Sequence, residues 1–129
     1  MKIHPTAIVD ASVRLADDVE VGPYCIIGAG VTVAARTRFL AHVFVEGITT
    51  IGEENVFYPY STVGVASQDK KYHGEQCALE IGNRNTVREF VSIHRGTAGG
   101  GGVTRIGNDN WIMTQVHICL LYTSDAADE

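Results

Sequence analysis

The chain has little cysteine, no long apolar run and no surplus of positive charge, and each shortage removes a class of function. Three cysteines in 129 residues, an odd number in no close pair, do not make the disulfide framework of a small secreted domain. The chain opens Met1-Lys2-Ile3-His4 without a long apolar run, so neither a secretory signal nor a membrane span is expected. A reducing cytoplasm is the simplest address. The net charge of −5 argues against non-specific nucleic-acid binding. The balance is uneven, however. Six of the ten Lys and Arg fall between Lys70 and Arg105, opposed there by Glu75, Glu80 and Glu89. That reads as a local basic surface, suited to an acidic partner or a phosphate.

What the chain has in excess is repetition. Seventeen six-residue units run through it, and the second residue of each is apolar: Ile3, Val9, Leu15, Val21, Ile27, Val33, Phe39, Val45, Ile51, Phe57 and Val63, then Ile81, Val87 and Ile93, then Ile106, Ile112 and Ile118. With apolar residues at 45% of the chain, chance would break such a series many times over. A period of six is a multiple of two and not of 3.6, so it fits extended chain and not a helical face. Four positions past each large residue stands a small or medium one that is neither charged nor aromatic, such as Val19, Cys25, Thr37 or Asn55. One large and one small inward residue per unit suit a narrow core with a corner every six residues. Hexapeptide repeats of this kind are a signature of parallel β-helices.

Three units nearly copy one another: Ile51-Gly52-Glu53-Glu54-Asn55, Ile81-Gly82-Asn83-Arg84-Asn85 and Ile106-Gly107-Asn108-Asp109-Asn110. They are the ninth, twelfth and fifteenth, so the expected coil holds three hexads and forms a triangular prism. These units then stack in one column about 4.8 Å apart. Their asparagines are expected to form a ladder along the axis, each amide bonding the next. The length fits one domain of roughly six coils. A solenoid needs atypical end caps, so an open terminal coil is expected to aggregate.

Two interruptions break the repeat, and function is sought there because the hexads are scaffold. They are expected at Gln68–Leu79 and Ala98–Thr104, one coil apart at the same corner. The second contains Gly99-Gly100-Gly101-Gly102, which either cradles phosphate through free amides or forms a flexible excursion. His94 follows the inward Ile93 and His117 precedes the inward Ile118, so both are expected to point outward from one face. Asp69 and Lys71 fall in the neighbouring loop. Imidazoles there offer general-base or ligand chemistry near neutral pH, or are simply solvated.

The segments Gln68-Asp69-Lys70-Lys71-Tyr72-His73-Gly74-Glu75, Glu80-Ile81-Gly82-Asn83-Arg84-Asn85 and Ser92-Ile93-His94-Arg95-Gly96-Thr97 resemble the acyl-carrier-protein-dependent UDP-N-acetylglucosamine O-acyltransferases. The start His4-Pro5-Thr6-Ala7-Ile8-Val9 fits too, and the likeness runs from residue 1 to about 119. It implies an all-β, left-handed parallel β-helix assembled as a homotrimer with active sites between subunits. It also implies the first step of lipid A synthesis, in the cytoplasm. There a histidine acts as general base on the sugar 3-hydroxyl, which attacks the thioester of a 3-hydroxyacyl group on acyl carrier protein, with no metal and no cofactor. By position, Asp69, Lys71, His94 and His117 would contact the substrates.

One departure is large. In the family, the segment matching His117-Ile118-Cys119 runs within one residue to the catalytic histidine, followed by Asp; here position 120 is Leu. Residues 1–119 therefore read as a truncated β-helix domain lacking its base, and residues 120–129 as a non-homologous, disordered tail. Three other readings stay open: another hexapeptide acyl- or acetyltransferase, a zinc carbonic anhydrase of the same fold, and a non-catalytic β-helical adaptor.

Overall fold

A computed structural model describes residues 1–66, 77–96 and 102–118. Each hexad becomes a short strand, seventeen among the described residues, and every pairing is parallel. The strands stack at every third unit into three sheets, giving a left-handed parallel β-helix. The first sheet stacks Lys2–Ile3, Glu20–Val21, Arg38–Phe39, Val56–Phe57, Thr86–Val87 and Trp111–Ile112. The second stacks Ile8–Val9, Ile26–Ile27, Phe44–Val45, Thr62–Val65, Ser92–His94 and His117–Ile118. The third holds Arg14–Leu15, Val31–Val33, Ile48–Ile51, Ala78–Ile81 and Val103–Ile106.

The large apolar residue of each unit points into the prism, and from Val21 to Ile118 these residues are buried. Phe39 and Phe57, adjacent in the first sheet, stack with ring centroids 5.0 Å apart. The small position fills what remains: Cys25, Thr37, Val43, Asn55 and Ser61 are buried as well. The chain then has to turn, and it does so in left-handed backbone conformation. Among the described residues ten that are not glycine have positive φ, each three places past a large inward residue. At the corner from the third sheet to the first they are Asp18, Arg36, Glu54, Arg84 and Asp109, a column of alternating charge. Arg36 reaches Glu53 at 3.2 Å and Arg84 reaches Asp109 at 2.7 Å. Solvent exposure limits what such pairs contribute.

The expected asparagine ladder is present in a different form. Each amide serves the backbone of the next coil and not the next amide. Asn55 Oδ1 accepts from the Asn85 N–H at 2.8 Å and Asn85 Oδ1 from the Asn110 N–H at 2.9 Å. Asn55 Nδ2 donates to the Gly82 carbonyl and Asn85 Nδ2 to the Gly107 carbonyl, both at 2.8 Å. The corner takes these backbone groups out of the sheet ladder, and an inward amide is what satisfies them. A second ladder runs outside, where Asn83 Oδ1 accepts from the Glu53 N–H at 2.7 Å and Asn108 Oδ1 from the Asn83 N–H at 2.6 Å. It also explains the glycine of the motif: a Cβ on Gly52 or Gly82 would collide with those amide oxygens.

Two boundaries need correction. The interruptions do not extend to Leu79 and Thr104, because strands already run from Ala78 and Val103. Leu79 and Thr104 are buried and register with Thr49 in the third sheet, so they belong to the core. A leucine in the small inward column disguised the re-entry. Both interruptions do connect the second sheet to the third, one coil apart.

Candidate functional site

The outward row of the second sheet changes character as it climbs. Ile8, Ile26 and Phe44 form its lower part, then Thr62, Ser92 and His117. Alternation forces this, since each residue precedes an inward one in its strand. Ser92 and His117 are paired in register, and Ser92 Oγ lies 2.7 Å from His117 Nδ1.

His94 reaches the same face by another route. The strand beneath it bulges: Val63 pairs with Ile93, but Val65 pairs with His94. The extra residue is Gly64, at φ 78°, where a Cβ would strike the Glu46 carbonyl oxygen. Bulges re-aim side chains in this way. The His94 ring lies edge-on to His117 with centroids 4.7 Å apart. His94 Nδ1 is buried without a hydrogen-bond partner among the described residues. Burial first, and the neighbouring His117 second, hold its pKa below the ordinary histidine value. His94 is therefore held mostly in its neutral form at pH 7.

That depression has a consequence for stability. Unfolded His94 binds its proton near pH 6.5, while the folded ring resists until lower pH. The unfolded state then holds more protons in that window, so stability is complete above about pH 6.5 and declines as the solution is acidified through it. Urea midpoints at pH 7.5 and 5.5 are expected to differ less in His94→Asn than in the parent. An unchanged difference would remove His94 as the cause.

Arg95 follows immediately, its backbone N–H donating to Val65 at 2.8 Å. Its side chain turns over Gly47, where a Cβ would lie 2.6 Å from the guanidinium. Arg95 Nε is buried and unpartnered among the described residues. The other arginines of the basic stretch do not join it. Arg84 pairs with Asp109 at the opposite corner, Arg88 with Glu89 and the Tyr58 ring, and Arg105 with Glu80 on the third sheet. Those three arginines, part of the basic surface expected from closeness in sequence, are thus dispersed around the prism, because each hexad sends its residues to a new face; Lys70 and Lys71 lie outside the described residues.

Of the anticipated site residues, His94 and His117 are brought together; Asp69, Lys71 and Leu120 lie outside the described residues. Ser92 is a further residue of this face, and its phase in the repeat matches that of His117. Among the described residues no group of three His, Cys, Asp or Glu side chains could hold a metal ion, and no helix is long and apolar enough to cross a membrane.

The corner between the first and second sheets carries a column of rings. Tyr24, His42, Tyr60 and Phe90 stack with centroids 5.0–5.5 Å apart, all in left-handed conformation. Tyr24, Tyr60 and Phe90 are each more than half exposed, as is Ile8 on the adjoining sheet.

Residues 1–35 match the family model described as bacterial transferase hexapeptide (six repeats). The acyl-[acyl-carrier-protein]–UDP-N-acetylglucosamine O-acyltransferase of Thermodesulfovibrio yellowstonii is 47% identical over 117 residues, covering 91% of this chain and 45% of that protein. The protein of the same name from Xanthomonas euvesicatoria is 51% identical over 116 residues, covering 90% and 44%. Among solved structures, a UDP-N-acetylglucosamine acyltransferase superposes with a TM-score of 0.90 at 37% identity, over 92% of this chain and 46% of the other. The Moraxella catarrhalis UDP-N-acetylglucosamine O-acyltransferase gives 0.88 at 49% identity, over 92% and 46%. The chain spans about half the length of the curated relatives it matches. By sequence and by fold, nine-tenths of this chain is similar to acyl-[acyl-carrier-protein]–UDP-N-acetylglucosamine O-acyltransferases, over somewhat less than half of their length.

Proposed function

We propose that this chain carries one wall of a site that transfers a 3-hydroxyacyl group from acyl carrier protein to the 3-hydroxyl of UDP-N-acetylglucosamine, the first step of lipid A biosynthesis. In that reaction the sugar oxygen attacks the thioester carbonyl, its proton passes to a base, and the carrier thiol leaves as the C–S bond breaks. His94, neutral and edge-on to His117, flanks the reacting groups together with Asp69 and Lys71, all four contacting substrate. The base itself belongs at position 120, where this chain has Leu. Residues 1–119 are the β-helix domain, and residues 120–129 a foreign tail. Arg95, with Lys70 and Lys71, supplies the positive charge that an acidic carrier protein meets.

The working assembly is a cytoplasmic homotrimer. The exposed ring column and the apolar lower half of the second sheet suit a self-contact, and the latter shares its outward face with His117. The observation that carries the reading is the identity with acyltransferases across the whole hexad region, at 47–51%, joined to the paired imidazoles on the sheet beside both interruptions.

The test is a titration followed by imidazole NMR signals. Adding 3-hydroxyacyl carrier protein and UDP-N-acetylglucosamine is expected to perturb His94 and His117 and to leave His4 unmoved. Perturbation by acetyl-coenzyme A instead would point to an acetyltransferase, and no response at His94 or His117 to any of them would favour the adaptor.

A further inference from the structure

The hydrogen bond between Ser92 and His117 has a direction, and the surroundings give it. Ser92 is held by its strand: its N–H donates to the Val116 carbonyl at 3.1 Å, and its side chain projects directly beneath His117. Its Oγ lies 2.7 Å from Nδ1 and makes no other hydrogen bond among the described residues. A hydroxyl carries one proton to donate. If Nδ1–H were the donor, that hydroxyl proton would face only solvent; if the hydroxyl donates, both groups are served.

We propose that Ser92 is a positioning residue that donates to His117 Nδ1 and so holds the neutral ring as its Nε2–H tautomer. The proton on one imidazole nitrogen is set by the bond the other makes. His117 then meets its substrate as a hydrogen-bond donor, suited to an oxygen that gains negative charge, and not as a base. His94 is the complement: it sits 4.7 Å away without such a donor at its own Nδ1. The tautomer stands on geometry alone; its meaning for acyl transfer rests on the function proposed above.

Histidine-labelled chain, examined by two-dimensional ¹⁵N NMR above the pH at which its imidazoles titrate, reads the tautomer directly. The expected spectrum shows His117 predominantly protonated at Nε2, with Nδ1 shifted as a hydrogen-bonded acceptor. In Ser92→Ala the Nδ1 signal loses that shift and the tautomer ratio moves toward Nδ1–H by up to about tenfold, the worth of one hydrogen bond. Ser92→Thr restores both. A parent spectrum dominated by Nδ1–H would overturn the assignment, even if the alanine variant failed to fold. So would a folded Ser92→Ala with the ratio and the Nδ1 shift unmoved. Neither reading needs turnover, so a chain that bound no sugar nucleotide would still decide the point.

Discussion

On the function proposed above, acyl transfer from 3-hydroxyacyl carrier protein to UDP-N-acetylglucosamine by this chain is expected to run roughly 10²- to 10⁴-fold below that of a relative with histidine at the position of Leu120. That corresponds to about 3–5 kcal/mol of lost transition-state stabilisation. Leucine has no lone pair, so the proton of the attacking hydroxyl has no acceptor there. Neither imidazole of the described pair compensates: His94 has its Nδ1 buried, and His117 has its Nδ1 engaged by Ser92. A coupled assay for free carrier thiol, run beside a full-length relative, measures the gap. Turnover within tenfold of the relative would mean that some other group on this chain serves as base.

The largest effect on folding is expected from Asn85→Ala. Its side chain is buried and ties its own coil to the next: Oδ1 accepts from the Asn110 N–H, and Nδ2 donates to the Gly107 carbonyl. Removing the amide leaves one donor and one acceptor part-buried and unpaired, each costing about 1–3 kcal/mol, so the change is expected to cost about 2–5 kcal/mol. That is a large share of a typical domain's stability. Asn83→Ala is the control. It also removes a bond between coils, to the Glu53 N–H, but at an exposed corner where water can replace it. Urea melts of the two variants should separate clearly. Equal midpoints would mean that the inner amides contribute no more than the outer ones.

The repeat made much of this architecture legible before any coordinates. Ile51, Ile81 and Ile106 do stack, as their near-identical hexads required, and they share a sheet. The phase of His94 and His117 was equally readable, because an outward residue in a strand of known register can face only one way. Other features were hidden. Glycine is the residue expected at left-handed corners, yet Tyr24, His42, Tyr60 and Phe90 occupy them. Their stacking is a contact between residues 18 to 30 positions apart, invisible to any local pattern. The bulge at Gly64 is hidden for a similar reason: it shows only when one strand is laid on another.

The amino-acid sequence by itself determined the period, the three-sided coil and the inward column, since each depends on residue spacing along the chain. Only the tertiary structure decided which groups meet across coils. It dispersed Arg84, Arg88 and Arg105 to separate pairings, set Ser92 beneath His117, and turned the asparagine ladder from amide–amide to amide–backbone. The physical reason is the same in each case. Spacing says which coil and which face a side chain occupies, whereas hydrogen bonds and ion pairs form over about 3 Å. At that scale a bulge, a corner conformation or a rotamer decides the partner.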